Sequence, residues 1–184
     1  MKEVRIHGRG GQGGVTSAEL VAIAAIEEGR YAQAFPSFGP ERRGAPVQAF
    51  IRVSDKIIRT REKVYHPDIV VVLDSSLPAL VNVAEGIKED GIIILNSAHP
   101  ESQVRKEFGL KTRLALVDAN TIAREVLGLP ITNTTMLGAL LKATGIVGIE
   151  AVEDALEKRF GKLAAKNKDA MKRAYEETTI YDPS

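Results

Sequence analysis

The feature that most constrains the fold of this 184-residue chain is the stretch His7-Gly8-Arg9-Gly10-Gly11-Gln12-Gly13-Gly14-Val15-Thr16, half of it glycine. Glycine at that density is costly to order, so the backbone there has to do something other residues cannot. The stretch lies between an alternating run (Val4, Ile6) and a helical run from about Val15 to Glu28. A sharp strand-to-helix turn whose N–H groups face an anion is the expected outcome. Gly8, Gly10 and Gly13 satisfy G-x-G-x-x-G, and Arg9 adds positive charge beside them.

A dinucleotide site would also need an Asp or Glu about 20 residues beyond the glycines, to hold the ribose hydroxyls. That position falls on Gln33-Ala34-Phe35, which carries no acid, so the motif loses its NAD meaning and keeps its anion-cradling one. Tyr31 to Phe35 alternates as a second strand. The loop that follows, Pro36 to Pro46, contains the adjacent pair Arg42-Arg43. In an open parallel sheet this loop leaves the same carboxyl rim as the glycines, which puts both arginines near the cradle.

Val47 to Val53 alternates strongly, and Ser54-Asp55-Lys56 predicts a turn into Ile57-Ile58-Arg59, a β-hairpin. Three continuous apolar runs (Ile69–Leu73, Ile92–Leu95 and Leu114–Val117) read as parallel strands covered on both faces. Their ends, Asp74-Ser75-Ser76, Asn96-Ser97 and Asp118, should line one rim, and some should cap helices starting near Leu77 and Ala119. Asn133 or Thr134 is placed to cap a helix to Thr144, inside which Gly138 signals close packing. Helices through Val152–Phe160 and about Leu163–Glu177 complete the chain, with Ile180–Ser184 expected as a tail or partner arm. The sum is a single α/β domain over 1–184. Its three α/β/α layers enclose a mostly parallel Rossmann-like sheet, with an antiparallel hairpin insertion and a helical C-terminal region.

Composition removes several function classes. A net charge of +1 gives no reason to expect nucleic acid or an anionic membrane, and no apolar run approaches the length of a membrane span. The strand-like start at Met1–Gly8 argues against a signal peptide, so a cytoplasmic protein is expected. With no cysteine, thiolate iron–sulfur ligation, disulfides and thiol nucleophiles are excluded from this chain. His7, His66 and His99 are scattered, with no metal-ligand spacing. Neither a Gly-x-Ser-x-Gly elbow nor a P-loop lysine is present. No catalytic residue is expected, therefore, only a site suited to phosphates.

Three motifs in order carry a resemblance: Gly8-Arg9-Gly10-Gly11-Gln12-Gly13, Phe35-Pro36-Ser37-Phe38-Gly39-Pro40-Glu41-Arg42-Arg43-Gly44-Ala45-Pro46, and Asn133-Thr134-Thr135-Met136-Leu137-Gly138-Ala139. Together, over nearly the whole chain, they resemble the gamma subunit of 2-oxoacid:ferredoxin oxidoreductases, most closely the pyruvate:ferredoxin (pyruvate synthase) type. The Arg-Arg-Gly-Ala-Pro form is more like the pyruvate and branched-chain members than the 2-oxoglutarate ones. The resemblance implies an enzyme that makes acetyl-CoA and CO2 from pyruvate and coenzyme A while reducing ferredoxin. It also implies alpha, beta and delta partner subunits, and thiamine diphosphate, Mg2+ and [4Fe–4S] clusters held outside this chain. On the same basis Gly8, Arg9, Gly10, Gly11, Gln12, Gly13, Arg42, Arg43 and Asn133 are expected to contact coenzyme A or a partner, in a subunit that supplies no catalytic group. The alternatives are a free-standing nucleotide- or flavin-binding oxidoreductase, a gamma subunit for another 2-oxoacid, and a purely structural subunit whose glycines serve packing.

Overall fold

The computed structural model describes residues 1–37 and 42–184, so Phe38–Glu41 of the predicted Arg42-Arg43 loop lie outside the described residues. Seven strands form one sheet in the order β2-β3-β1-β4-β5-β6-β7. They are β1 (Lys2–Arg9), β2 (Tyr31–Pro36), β3 (Pro46–Ser54), β4 (Ile69–Val72), β5 (Ile92–Asn96), β6 (Arg113–Val117) and β7 (Thr179–Tyr181). The ladders β1–β4, β4–β5 and β5–β6 are parallel, while β3 runs against both β1 and β2, and β7 runs against β6. Five of the seven strands therefore share one direction, and β1, β2, β4, β5 and β6 end at one rim. From β1 the chain crosses to β2 on one side, whereas β4 lies on its other side. The crevice at the ends of β1 and β4 is thus the topological switch point, where open α/β sheets bind ligands.

Helices α1 (Gly14–Glu27), α2 (Glu101–Phe108), α3 (Ala119–Leu127), α4 (Asn133–Thr144), α5 (Ile149–Phe160) and α6 (Ala164–Glu177) cover the sheet unequally. Residues of α1, α3, α4, α5 and α6 join one apolar core with Val4, Ile6, Ala49, Ile51 and Val53. The other face, over β4 to β6, is closed by α2 and by the irregular segment from Leu77 to Ile87. The third layer is therefore thin. The helix expected from Leu77 is only the 3-10 turn Leu77–Ala79, with Pro78 inside it and no side-chain cap. Proline removes a backbone donor there, and chain-reversing Gly86 follows at φ 71°.

Two further expectations are corrected. Ile57-Ile58-Arg59 forms no strand, because both edges of β3 are already taken, by β1 and by β2, and Ile57 is left exposed. The antiparallel hairpin is β2–β3, closed by the Arg42-Arg43 loop. The C-terminal Ile180 region is a strand paired with Leu114–Leu116 rather than a free arm. Helix α2 carried too little apolar periodicity to be seen in advance; Val104 is its one buried residue. In α1 the small residues Ala18, Ala24 and Ala25 are fully buried, whereas Ile23 and Ile26 face outward.

The rows of β1 divide cleanly. Val4 and Ile6 enter the helical core, while the alternate residues Arg5 and His7 are buried on the thin side. Arg5 Nε donates to His7 Nε2 at 2.9 Å, and Arg5 Nη2 donates to the carbonyls of Val83 and Glu85. Burial, with Arg5 adding to it, lowers the His7 pKa to about 3, so the ring is neutral at ordinary pH. An unfolded histidine titrates near 6.5, so stability from this group is complete above that pH and declines as pH falls toward 3. His7→Gln keeps an acceptor for Arg5 but cannot titrate. In urea denaturation across this pH range it should flatten the wild-type decline, whose His7 share is at most about 1.4 kcal/mol per pH unit.

Gly138 is where α4 and α6 touch backbone to backbone. A Cβ there would lie 1.9 Å from the Met171 carbonyl oxygen. Neither backbone can yield locally, so Gly138→Ala should cost about 3 kcal/mol. In calorimetry that is a fall of about 6–12 °C in Tm, against the small gain helix propensity alone would bring.

Candidate functional site

The glycine stretch is built from two segments at once. The Gly10 N–H donates to the Ala45 carbonyl at 2.8 Å, and the Gly44 N–H donates back to the Gly10 carbonyl at 3.0 Å, beside a parallel bridge from Gly10 to Arg43. Any Cβ at Gly10 would sit 2.3 Å from the Arg42 carbonyl oxygen, so only glycine permits this approach. Gly13 is the N-cap of α1 at φ 80°, and a Cβ there would fall 2.4 Å from Asn133 Nδ2. Asn133 thus braces the loop from behind: its amide reaches the Gly13 carbonyl at 3.4 Å, and its own carbonyl accepts from Ser17 Oγ at 3.1 Å. It is the first residue of α4 rather than its cap, a place held by Thr132 without a side-chain bond. Thr132 Oγ1 donates instead to the Leu73 carbonyl.

Across the switch-point crevice lies a clamp. Arg9 Nε donates to Asp74 Oδ2 at 3.1 Å, Nη1 to the Gly44 carbonyl at 2.9 Å and Nη2 to Ser76 Oγ at 2.6 Å. Gln12 closes the same group, its Oε1 accepting from the Arg9 N–H and its Nε2 donating to Asp74 Oδ2. Partial burial opposes the Asp74 charge. The Ser76 hydroxyl and N–H, then Gln12 and the Arg9 charge, outweigh it and hold the carboxyl below its ordinary value. Arg9 was expected as spare positive charge for an anion, and the geometry corrects that. Its guanidinium is spent on Asp74, Ser76 and Gly44, so it fixes β1 to β4 and to the Arg42-Arg43 loop.

Beside the clamp opens a cavity of about 440 Å3, within the size range of small-molecule sites. Gly8, Arg9, Gly11, Gly13 and Gly14 line it with Val15 and Thr16, and the ends of β2 and β3 form the facing wall. The first N–H groups of a helix have no partner within it, and no side chain caps α1. Among the described residues the N–H groups of Gly13, Gly14, Val15 and Thr16 have no acceptor. With the positive end of the helix dipole behind them they form an anion cradle. Arg42 and Arg43 are exposed on the loop bonded to Gly10 and are not among the residues lining the cavity; Arg43 Cγ would lie 3.9 Å from a notional Gly11 Cβ.

Of the residues predicted for the site, Gly8, Arg9, Gly11 and Gly13 line the cavity, Gly10 and Gln12 shape it, and Asn133 supports it. Thr16 and Gln48 also line it and were not anticipated. Gln48 could be found only by knowing that β3 lies beside β1, with Gly8 opposite Val47. The remaining rim residues do serve one edge. Asp118 caps α3 through the Thr121 N–H, and Asn96 ties the Leu73 carbonyl to the Ala119 N–H. No group of three or more potential metal ligands occurs among the described residues, and none of their helices is long and apolar enough to cross a membrane.

Comparison with known proteins identifies the family. The profile of the family described as pyruvate ferredoxin/flavodoxin oxidoreductase matches residues 3–177. The common subunit gamma of the pyruvate/ketoisovalerate oxidoreductases of Thermococcus litoralis is 55% identical, over 99% of this chain and 100% of that one. The pyruvate synthase subunit PorC of Methanosarcina barkeri is 52% identical over 85% of each chain. Among solved structures, the pyruvate oxidoreductase subunit PORC of Thermotoga maritima superposes with a TM-score of 0.87 at 42% identity, covering 98% of both chains. The chain accordingly belongs to the pyruvate ferredoxin/flavodoxin oxidoreductase family, as a subunit of the gamma, or PorC, type.

Proposed function

We propose that this subunit works inside a pyruvate:ferredoxin oxidoreductase by holding the phosphate end of coenzyme A, and that it contributes no group to the bond-breaking chemistry. The observation that carries this is the convergence on one open cavity at the switch point of four backbone N–H groups that have no partner among the described residues. Backbone donors at a helix start suit phosphate oxygens, and exposed cations on the neighbouring loop suit a polyanion. Since Asp74 neutralises Arg9, that cationic role falls to Arg42 and Arg43. The residues fit the ligand: the cradle's donors are free among the described residues, and Gly10 and Gly13 let the Arg42 backbone and Asn133 pack against the loop that presents them. Coenzyme A brings the thiol that accepts the acyl group, while this chain binds and orients.

Absence of cysteine supports placing the [4Fe–4S] clusters in partner subunits, and thiamine diphosphate with Mg2+ belongs there on the same reading. Exposed Ile23 and Ile26 on α1 and Tyr31 on the edge strand β2 supply apolar surface for packing in a four-subunit assembly of alpha, beta, gamma and delta. A second reading has its own support. The Thermococcus relative is named as common to two oxidoreductases, so this subunit could serve a branched-chain 2-oxoacid enzyme as well, with substrate choice made by other subunits.

Replacing Arg42 and Arg43 together by alanine in the assembled enzyme should raise the KM for coenzyme A about 5–30-fold, as expected for losing about 1–2 kcal/mol of binding, with kcat and the KM for pyruvate little changed. An unchanged KM with impaired assembly would make the loop an interface element instead. The purified chain alone should give no pyruvate-dependent ferredoxin reduction, and affinity-tagged chain should bring down the three partner subunits. Activity from the chain alone would overturn the non-catalytic assignment.

A further inference from the structure

A second cavity, of about 270 Å3, lies against the opposite face of the β1–β3 ladder. His7, Ser37, Gln48, Lys63, Leu77 and Val81 are among its walls. The coenzyme A reading makes no use of its donors. His7 is only 3% exposed, and its Nε2 is occupied as the acceptor for Arg5. Guanidinium Nε always carries a proton, so the neutral His7 ring must carry its own hydrogen on Nδ1. That Nδ1–H has no acceptor among the described residues, and it is the one polar group the ring can still offer the cavity.

Arg5 supplies a second, independent sign. It is 4% exposed, yet it forms no salt bridge among the described residues and donates only to His7 and two carbonyls. The Glu85 charge acts on it through space without a contact, so the buried cation is only partly compensated. Its field polarises His7 and makes Nδ1–H a stronger donor, directed away from Arg5. A negative charge received by His7 would balance Arg5 through the ring. Lys63, exposed at the edge of the cavity with its ammonium 5.1 Å from the centre of the Tyr65 ring, is the one charged residue among the described residues of its walls. One polarised N–H and one ammonium match a singly charged group better than a phosphate dianion, which calls for several charge-assisted donors. Leu77 and Val81 offer apolar contact to a short carbon chain.

We propose that this cavity binds a small aliphatic monocarboxylate, its carboxylate received by His7 Nδ1–H and Lys63 and its carbon chain lying on Leu77 and Val81. The site is separate from the anion cradle, although the two cavities meet at Gly8, Ser37 and the start of β3.

The test uses the full chain labelled with 15N-histidine and titrated with sodium butyrate. In the free protein the His7 nitrogens should show the Nδ1–H form. Butyrate should then shift Nδ1 to a saturating value in the millimolar range. Lys63→Met, at an exposed position, should weaken binding about 2–5-fold with Tm unchanged. His7→Phe should abolish it, with folding verified by the methyl spectrum. Arg42→Ala/Arg43→Ala should leave it intact, which separates this site from the coenzyme A reading. The proposal fails if butyrate leaves the His7 nitrogens unmoved, if Lys63→Met binds as wild type, or if inorganic phosphate binds more tightly than butyrate.

Discussion

The ion pair between Arg9 and Asp74 holds the functional end of this molecule together. It joins the last residue of β1 to Asp74, two residues beyond β4, across the crevice at the topological switch point. Both side chains are partly exposed, so the Coulomb energy alone is modest. Its value is geometric. One guanidinium fixes Asp74, Ser76 and the Gly44 carbonyl at once, and Gln12 makes the carboxylate a shared acceptor. Cradle and crevice are therefore tied to one another, and a ligand meets a preorganised set of backbone donors.

Much of this was legible from residue types. The glycine density, the missing ribose acid and the three β-branched runs led to a mostly parallel sheet with an anion-cradling loop on its carboxyl rim before any coordinates, whereas the switch point needed the strand order. Asp74, Asn96 and Asp118 could be assigned to one rim because parallel strands share a carboxyl edge. What could not be read was partner choice. The alternation of Val47 to Val53 announces a strand but not its neighbours, and the polar turn at Ser54-Asp55-Lys56 pointed to the wrong one. Arg9 failed for a related reason: its charge was evident, while the carboxylate that consumes it lies 65 residues away in sequence. Helix α2 and the 3-10 turn at Leu77 were decided by local proline and cap chemistry, with too few apolar residues to form a pattern.

The two faces of β1 divide the labour. One row, Val4 and Ile6, belongs to the core formed with α1, α4, α5 and α6, where burial of aliphatic side chains stabilises the fold. The other row, Arg5 and His7, is polar, dehydrated and under the thin layer, where every donor needs a partner.

The position of β3 has a consequence for how the chain acquires this shape. It is the only strand hydrogen-bonded on both edges to strands that precede it, β1 and β2. Before residues 46–54 have been synthesised, β1 and β2 have no ladder to join, since neither pairs with the other. The glycine loop waits on the same event, because the Arg42–Ala45 backbone that holds Gly10 leads directly into β3. The first 54 residues are therefore the smallest N-terminal piece that can complete a ladder in this half of the sheet, and the cradle is set only as that piece closes.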